Sequence, residues 1–161
     1  MRPLPHEYLA QLSGTSVGYA EVSSAGLPVL RLAAPLDYDG PGDAWSPEHL
    51  LLASLQGCLL LTFRALARLS QLPFVSLEMD TTGIVNKQDG VTRFTEIVLR
   101  PVLTVPPGTD HARARRVLER SEKACLISAS LSTALRMESR VRDADTASDA
   151  RADEGREGPR V

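Results

Sequence analysis

Cys58 and Cys125 are the only two cysteines of the 161-residue chain, and they are its strongest candidates for chemistry. A thiolate attacks peroxides and disulfides, and two thiols that meet can pass through a sulfenic acid to a disulfide. By residue type alone each reads more readily as a packed core thiol, because free cysteine is among the most buried residue types. A redox pair needs the two sulfurs in contact, and their long separation along the chain leaves that open. Two thiols are also too few for a disulfide scaffold. The chain holds no CxxC, and His6, His49 and His111 lie apart, so a zinc centre is not expected.

Composition narrows the setting. Apolar residues make up 43% of the chain and aromatic ones only 4%, which predicts a globular domain with an aliphatic core. The formal charge of -2 lacks the basic excess that a phosphate backbone demands, so no nucleic-acid partner is expected. The opening residues carry no signal-peptide pattern. The apolar run from Leu50 to Leu69 contains Arg64 and Arg68. Each arginine would cost roughly 2.5–3.5 kcal/mol at the centre of a bilayer, so no membrane span is expected. The reading is a soluble, cytoplasmic protein with reduced thiols.

The elements that must position the cysteines can be read in order. Val17–Glu21 and Pro28–Leu32 form a hairpin around Ser23-Ser24-Ala25-Gly26, and a Pro- and Gly-rich loop follows from Asp37 to Asp43. Ser46-Pro47-Glu48 is a helix start: a capping hydroxyl, a proline at the first position and an acid at the positive end of the dipole. The helix is expected from Pro47 to about Leu69, carrying Cys58. It is apolar on every side and needs cover on every side, which predicts a second subunit. Val75–Val85 and Thr92–Val105 form a long hairpin with a turn over Asn86–Gly90. A second helix capped by Thr109 or Asp110 follows, with Ala114, Val117, Leu118, Ser121 and Cys125 on one stripe. A last strand is expected over Thr133–Arg142. From Asp143 on, acids and arginines with almost nothing to bury predict a disordered tail.

Two blocks of this sequence resemble the OsmC/Ohr family (osmotically inducible protein and organic hydroperoxide resistance protein). Ser46-Pro47-Glu48-His49-Leu50, running on to Gln56-Gly57-Cys58, is similar to that family's Pro-Glu…Cys block and keeps its Glu-to-Cys spacing. Glu122-Lys123-Ala124-Cys125-Leu126-Ile127-Ser128, running on to Leu131, is similar to its Cys-Pro-x-Ser-x-x-Leu block. The resemblance covers roughly Val17 to Val141. It implies an OsmC-like α+β domain over residues 1–142, with residues 143–161 as the tail. In such a domain curved antiparallel sheets pack on a long buried helix within an intertwined homodimer. Cys58 would be the peroxidatic thiolate and Cys125 the resolving thiol, with Glu48 supporting the site. Tyr19, Leu55 and Phe63 are the expected substrate-binding residues, with Leu61 beside them. Organic hydroperoxides would be the substrates and a small dithiol or lipoyl group the reductant. No metal, cofactor or prosthetic group is expected.

Two positions depart from the family pattern. Tyr19 stands where the family has an arginine that pairs with the Pro-Glu carboxylate. A phenol donates a hydrogen bond but carries no positive charge, so Arg2, His6 or Arg31 would have to supply it, with His49 as a further neighbour. Leu126 replaces the proline after the second cysteine. The missing arginine opens an alternative: an OsmC-like dimer with little peroxidase activity that binds a small hydrophobic ligand in its interface pocket.

Overall fold

The computed structural model describes residues 3–145, which divide into two compact units within the long helix. The first runs to Ala53 and the second begins at Ser54. In the first unit, β1 (Gln11–Ser13), β2 (Ala20–Ser23) and β3 (Leu30–Leu32) form a three-stranded antiparallel meander. Ala20 faces Leu32 across β2 and β3, and Leu12 faces Val22 across β1 and β2. The expected hairpin is present with shorter strands, and β1 is an addition to it. A 3-10 turn over Leu36–Tyr38 ends in Asp39, whose φ is 58°. At Gly40 an added Cβ would stand 1.7 Å from the Ala34 carbonyl oxygen, so the fold of this loop admits only glycine there.

The long helix α1 (Pro47–Leu69) starts where its signals predict. Buried Ser46 accepts a hydrogen bond from the His49 amide at 3.3 Å, and its hydroxyl shares a second with His49 Nδ1 at 2.8 Å. Leu55, Leu59, Phe63 and Ala67, spaced four apart, are its buried stripe. Leu61 is 62% exposed and Leu69 76% exposed, so one chain covers one face of a helix that is apolar on all of them.

In the second unit β4 (Ser76–Gln88) and β5 (Val91–Val105) form a long antiparallel hairpin. Its turn is tighter than expected: Asp89 and Gly90, with φ of 52° and 81°, make a two-residue connection. Helix α2 (His111–Lys123) is capped by Asp110, which accepts from the Arg113 amide at 3.0 Å. Its inward stripe is Ala114, Val117, Leu118 and Ser121. A short helix α3 (Leu126–Ser130) follows directly. Phe63 and Ala67 of α1 pack in one cluster with Leu103 and Val105 of β5 and the apolar stripe of α2. Phe74 meets the Phe63 ring edge to face at 5.0 Å. Gln56 ties α1 to β4, donating to the Met79 carbonyl and to Thr81 Oγ1.

Three expectations are corrected here. The last strand is two pieces, β6 (Ala134–Met137) and β7 (Arg140–Asp143), broken at Glu138–Ser139. Both pair parallel to β5, so this sheet is mixed and not purely antiparallel. Glu96 faces Ala134 and Val102 faces Arg140, so the register runs on unchanged across the break. Second, Cys125 is not on the α2 stripe. The helix ends at Lys123, and Cys125 is the N-cap residue of α3. Third, the expected tail begins too early. Asp143 closes β7, its carboxylate lies 2.9 Å from His111 Nε2, and the Ala144 amide bonds to the Val105 carbonyl. The rest of the expected tail, from residue 146, lies outside the described residues, as does Arg2.

Candidate active site

Cys58 and Cys125 meet. Cys58 sits mid-way along α1 and is half-buried, while Cys125 is fully buried between α2 and α3. Both are free thiols within hydrogen-bonding reach of each other. The joint between α2 and α3 makes this possible. The Cys125 amide bonds back to the Glu122 carbonyl, then the chain turns extended at Cys125 and re-enters a helix at Leu126. The backbone amides of Leu126 and Ile127 are thereby presented to the Cys58 sulfur.

The environment treats the two thiols oppositely. Burial pushes the Cys58 thiol up. The Cys125 thiol, the Ile127 amide, the Thr62 hydroxyl and the Leu126 amide all donate toward its sulfur, and together they bring it below the ordinary thiol value. Burial pushes the Cys125 thiol above that value, and the hydrogen bond it gives to Cys58 holds its proton in place. The hydroxyl and amide of Ser128 stand near the Cys125 sulfur and act in the other direction without cancelling this. Of the two sulfurs Cys58 therefore gives up its proton more readily, and Cys125 is the donor beside it. That is the asymmetry a nucleophile and its reserve partner require.

Thr62 and Ser128 were not singled out as site residues from the sequence. Thr62 lies one helical turn after Cys58, on the same face of α1, and that spacing was a readable signal. Ser128 is 8% exposed, and among the described residues its Oγ has no hydrogen-bond partner.

Glu48 and Tyr19 belong to the first unit. Glu48 Oε2 is buried and has no hydrogen-bond partner among the described residues. Glu48 lines an open, mainly apolar groove of about 470 Å³, together with Leu12, Ala20, Leu32, Pro35 and Tyr38. Tyr19 donates to both carboxylate oxygens of Asp43, at 2.9 and 3.0 Å. Arg31 stacks on the Tyr19 ring, 4.3 Å from its centroid, and pairs with Asp43 at 3.2 Å. A guanidinium therefore does stand beside Tyr19, and Arg31 brings it. His49 is engaged in capping α1. Leu55 and Phe63 are fully buried, Phe63 in the core cluster, so neither presents surface to a ligand. Their expected substrate-binding role is corrected: their place on the helix belongs to the core stripe. Leu61 is the exposed one.

Comparison with known proteins places this geometry. Residues 40–140 match the family model described as OsmC-like protein. The uncharacterized protein YmaD of Bacillus subtilis is 30% identical over 127 residues, covering 76% of this chain and 84% of that protein. An OsmC-like protein of unknown function from Vibrio cholerae superposes with a TM-score of 0.75 at 20% identity, covering 83% of this chain and 99% of its own. An organic hydroperoxide resistance protein OsmC from Legionella pneumophila gives a TM-score of 0.67 at 20% identity, covering 84% and 96%.

Proposed function

The chain belongs to the OsmC/Ohr family, and on that premise we propose that it is a thiol-dependent peroxidase of organic hydroperoxides. The observation that carries the reading is the meeting of Cys58 and Cys125, one thiol pushed down and the other pushed up. The family's link to hydroperoxide resistance supports it.

In this reading the Cys58 thiolate attacks the distal oxygen of the hydroperoxide. An S–O bond forms, the O–O bond breaks, and the departing alkoxide takes up a proton to leave as the alcohol. Cys58 is left as the sulfenic acid. Cys125, as thiolate, then attacks the Cys58 sulfur; the S–S bond forms, and hydroxide leaves and is protonated to water. A small dithiol or lipoyl group reduces the disulfide and restores both thiols. The protein works in the cytoplasm as a homodimer, in which a second chain covers Leu61 and the other uncovered apolar positions of α1.

The test is turnover of an alkyl hydroperoxide supplied with a dithiol. Cys58→Ser abolishes it, whereas Cys125→Ser is oxidised once, to a sulfenic acid that forms no intramolecular disulfide. Turnover retained in Cys58→Ser overturns the proposal.

A second reading draws on the first unit. An open apolar groove lined by Glu48, whose Oε2 lacks a partner among the described residues, suits a small hydrophobic ligand with a hydrogen-bond donor, and Tyr19 replaces the family arginine. Under it Cys58 reacts with peroxide no faster than a free thiol, and an apolar fluorescent probe binds stoichiometrically to the reduced protein.

A further inference from the structure

Cys125 faces a difficulty that Cys58 does not. It is fully buried, yet it must shed its proton to attack the Cys58 sulfenic acid. An anion in that position needs donors that come from the protein. The local geometry supplies one. Cys125 is the N-cap of α3, which makes Ser128 the third helical residue, and a side chain at that position reaches back toward the capping residue. The Cys125 side chain makes no capping hydrogen bond as a thiol. Ser128 Oγ is buried and has no hydrogen-bond partner among the described residues. A hydroxyl left without a partner beside a thiol that must become an anion is a donor awaiting its acceptor. The groups at Ser128 favour the Cys125 thiolate, as such a role requires.

We infer that Ser128 positions the resolving thiolate: its hydroxyl donates to Cys125 Sγ once that proton is lost, and so governs disulfide formation and not peroxide attack. The step is the one already balanced above, in which the Cys125–Cys58 bond forms as hydroxide leaves the Cys58 sulfur. Ser128 exchanges no bond and touches no substrate. The inference rests on the peroxidase reading.

The two half-reactions separate it from that reading. The full chain is mixed with an alkyl hydroperoxide, the Cys58 sulfenic acid is trapped by a dimedone-type reagent at set times, and the disulfide is followed by mass. In Ser128→Ala the sulfenic acid forms at the wild-type rate, and its conversion to disulfide slows about tenfold or more, the loss of one hydrogen bond to a charged group. Ser128→Thr, which keeps the hydroxyl, recovers the conversion. Serine to alanine favours the helical state, and the unchanged first step serves as the check on folding. Wild-type conversion in Ser128→Ala overturns the inference, as does equal slowing of both steps, which would mark a structural role. Should wild-type Cys58 fail to be oxidised, the peroxidase reading falls and takes the inference with it.

Discussion

At the scale of single residues the chemistry is a matter of which sulfur carries charge. Cys58 lies below the ordinary thiol value and Cys125 above it, which fixes the sign of the pH response. Alkylation of Cys58 falls only as pH drops through its own lowered value, so it stays fast where a free thiol has begun to slow. Burial, which persists once Cys58 is oxidised, still favours the protonated Cys125 thiol, so resolution quickens as pH rises. Between the two values the sulfenic acid accumulates, and a pH series of trapping and disulfide yields checks both limbs. Thr62→Val removes one donor from the Cys58 sulfur and keeps the shape. It moves the Cys58 alkylation midpoint upward, and Thr62→Ser restores it. These residues were only partly legible. Cys58 and Cys125 stand out by type, but nothing local shows that two positions so far apart in the chain touch. Leu55 and Phe63 were misassigned because a leucine or phenylalanine looks the same in sequence whether it lines a pocket or fills a core.

At the scale of elements, legibility followed the locality of the signal. The start of α1 is announced by a hydroxyl, a proline and an acid in succession, and the cap on α2 by an aspartate before a periodic run. Asp110→Ala therefore costs about 1 kcal/mol, to be read from chemical denaturation. The hairpin of β4 and β5 was legible from its turn. The partner and direction of β6 and β7 were not, because parallel pairing leaves no local mark. Their break is held in register by the Glu138 amide on the Leu99 carbonyl and by Arg100 on the Glu138 carboxylate, at 2.8 and 2.9 Å. The cluster joining α1, α2 and β5 depends on Phe63, and Phe63→Ala costs about 3–5 kcal/mol by the same measurement.

At the scale of the whole molecule, the length and apolarity of α1 deserve an explanation. By length and composition alone it is able to cross a membrane. Its stripe from Leu55 to Ala67 is buried in protein, and Leu61 is left uncovered. The first unit likewise exposes Tyr8, Leu9, Leu12, Val17 and Val29. The proposed dimer answers both, and sedimentation of the wild type gives the mass of two chains. Leu61→Glu shifts that equilibrium toward one chain. That one chain leaves part of α1 uncovered was readable in the sequence, because an all-round apolar helix exceeds what one small domain covers. What covers it was not.

The contact between Cys58 and Cys125 also bears on the unfolded chain. Once oxidised, the pair closes a loop over most of the second unit, from α1 to the start of α3. Closing a loop of that length removes conformational freedom from the denatured ensemble worth about 4 kcal/mol. For a chain of this size that corresponds to roughly 10 °C in the melting midpoint. In the proposed cycle the redox state of the site would therefore set the heat resistance of the protein, and reduction of the disulfide would lower the melting midpoint by restoring freedom to the unfolded chain. Calorimetry of the reduced and the peroxide-treated chain reads this directly. The difference vanishes in Cys125→Ser, where the loop cannot close.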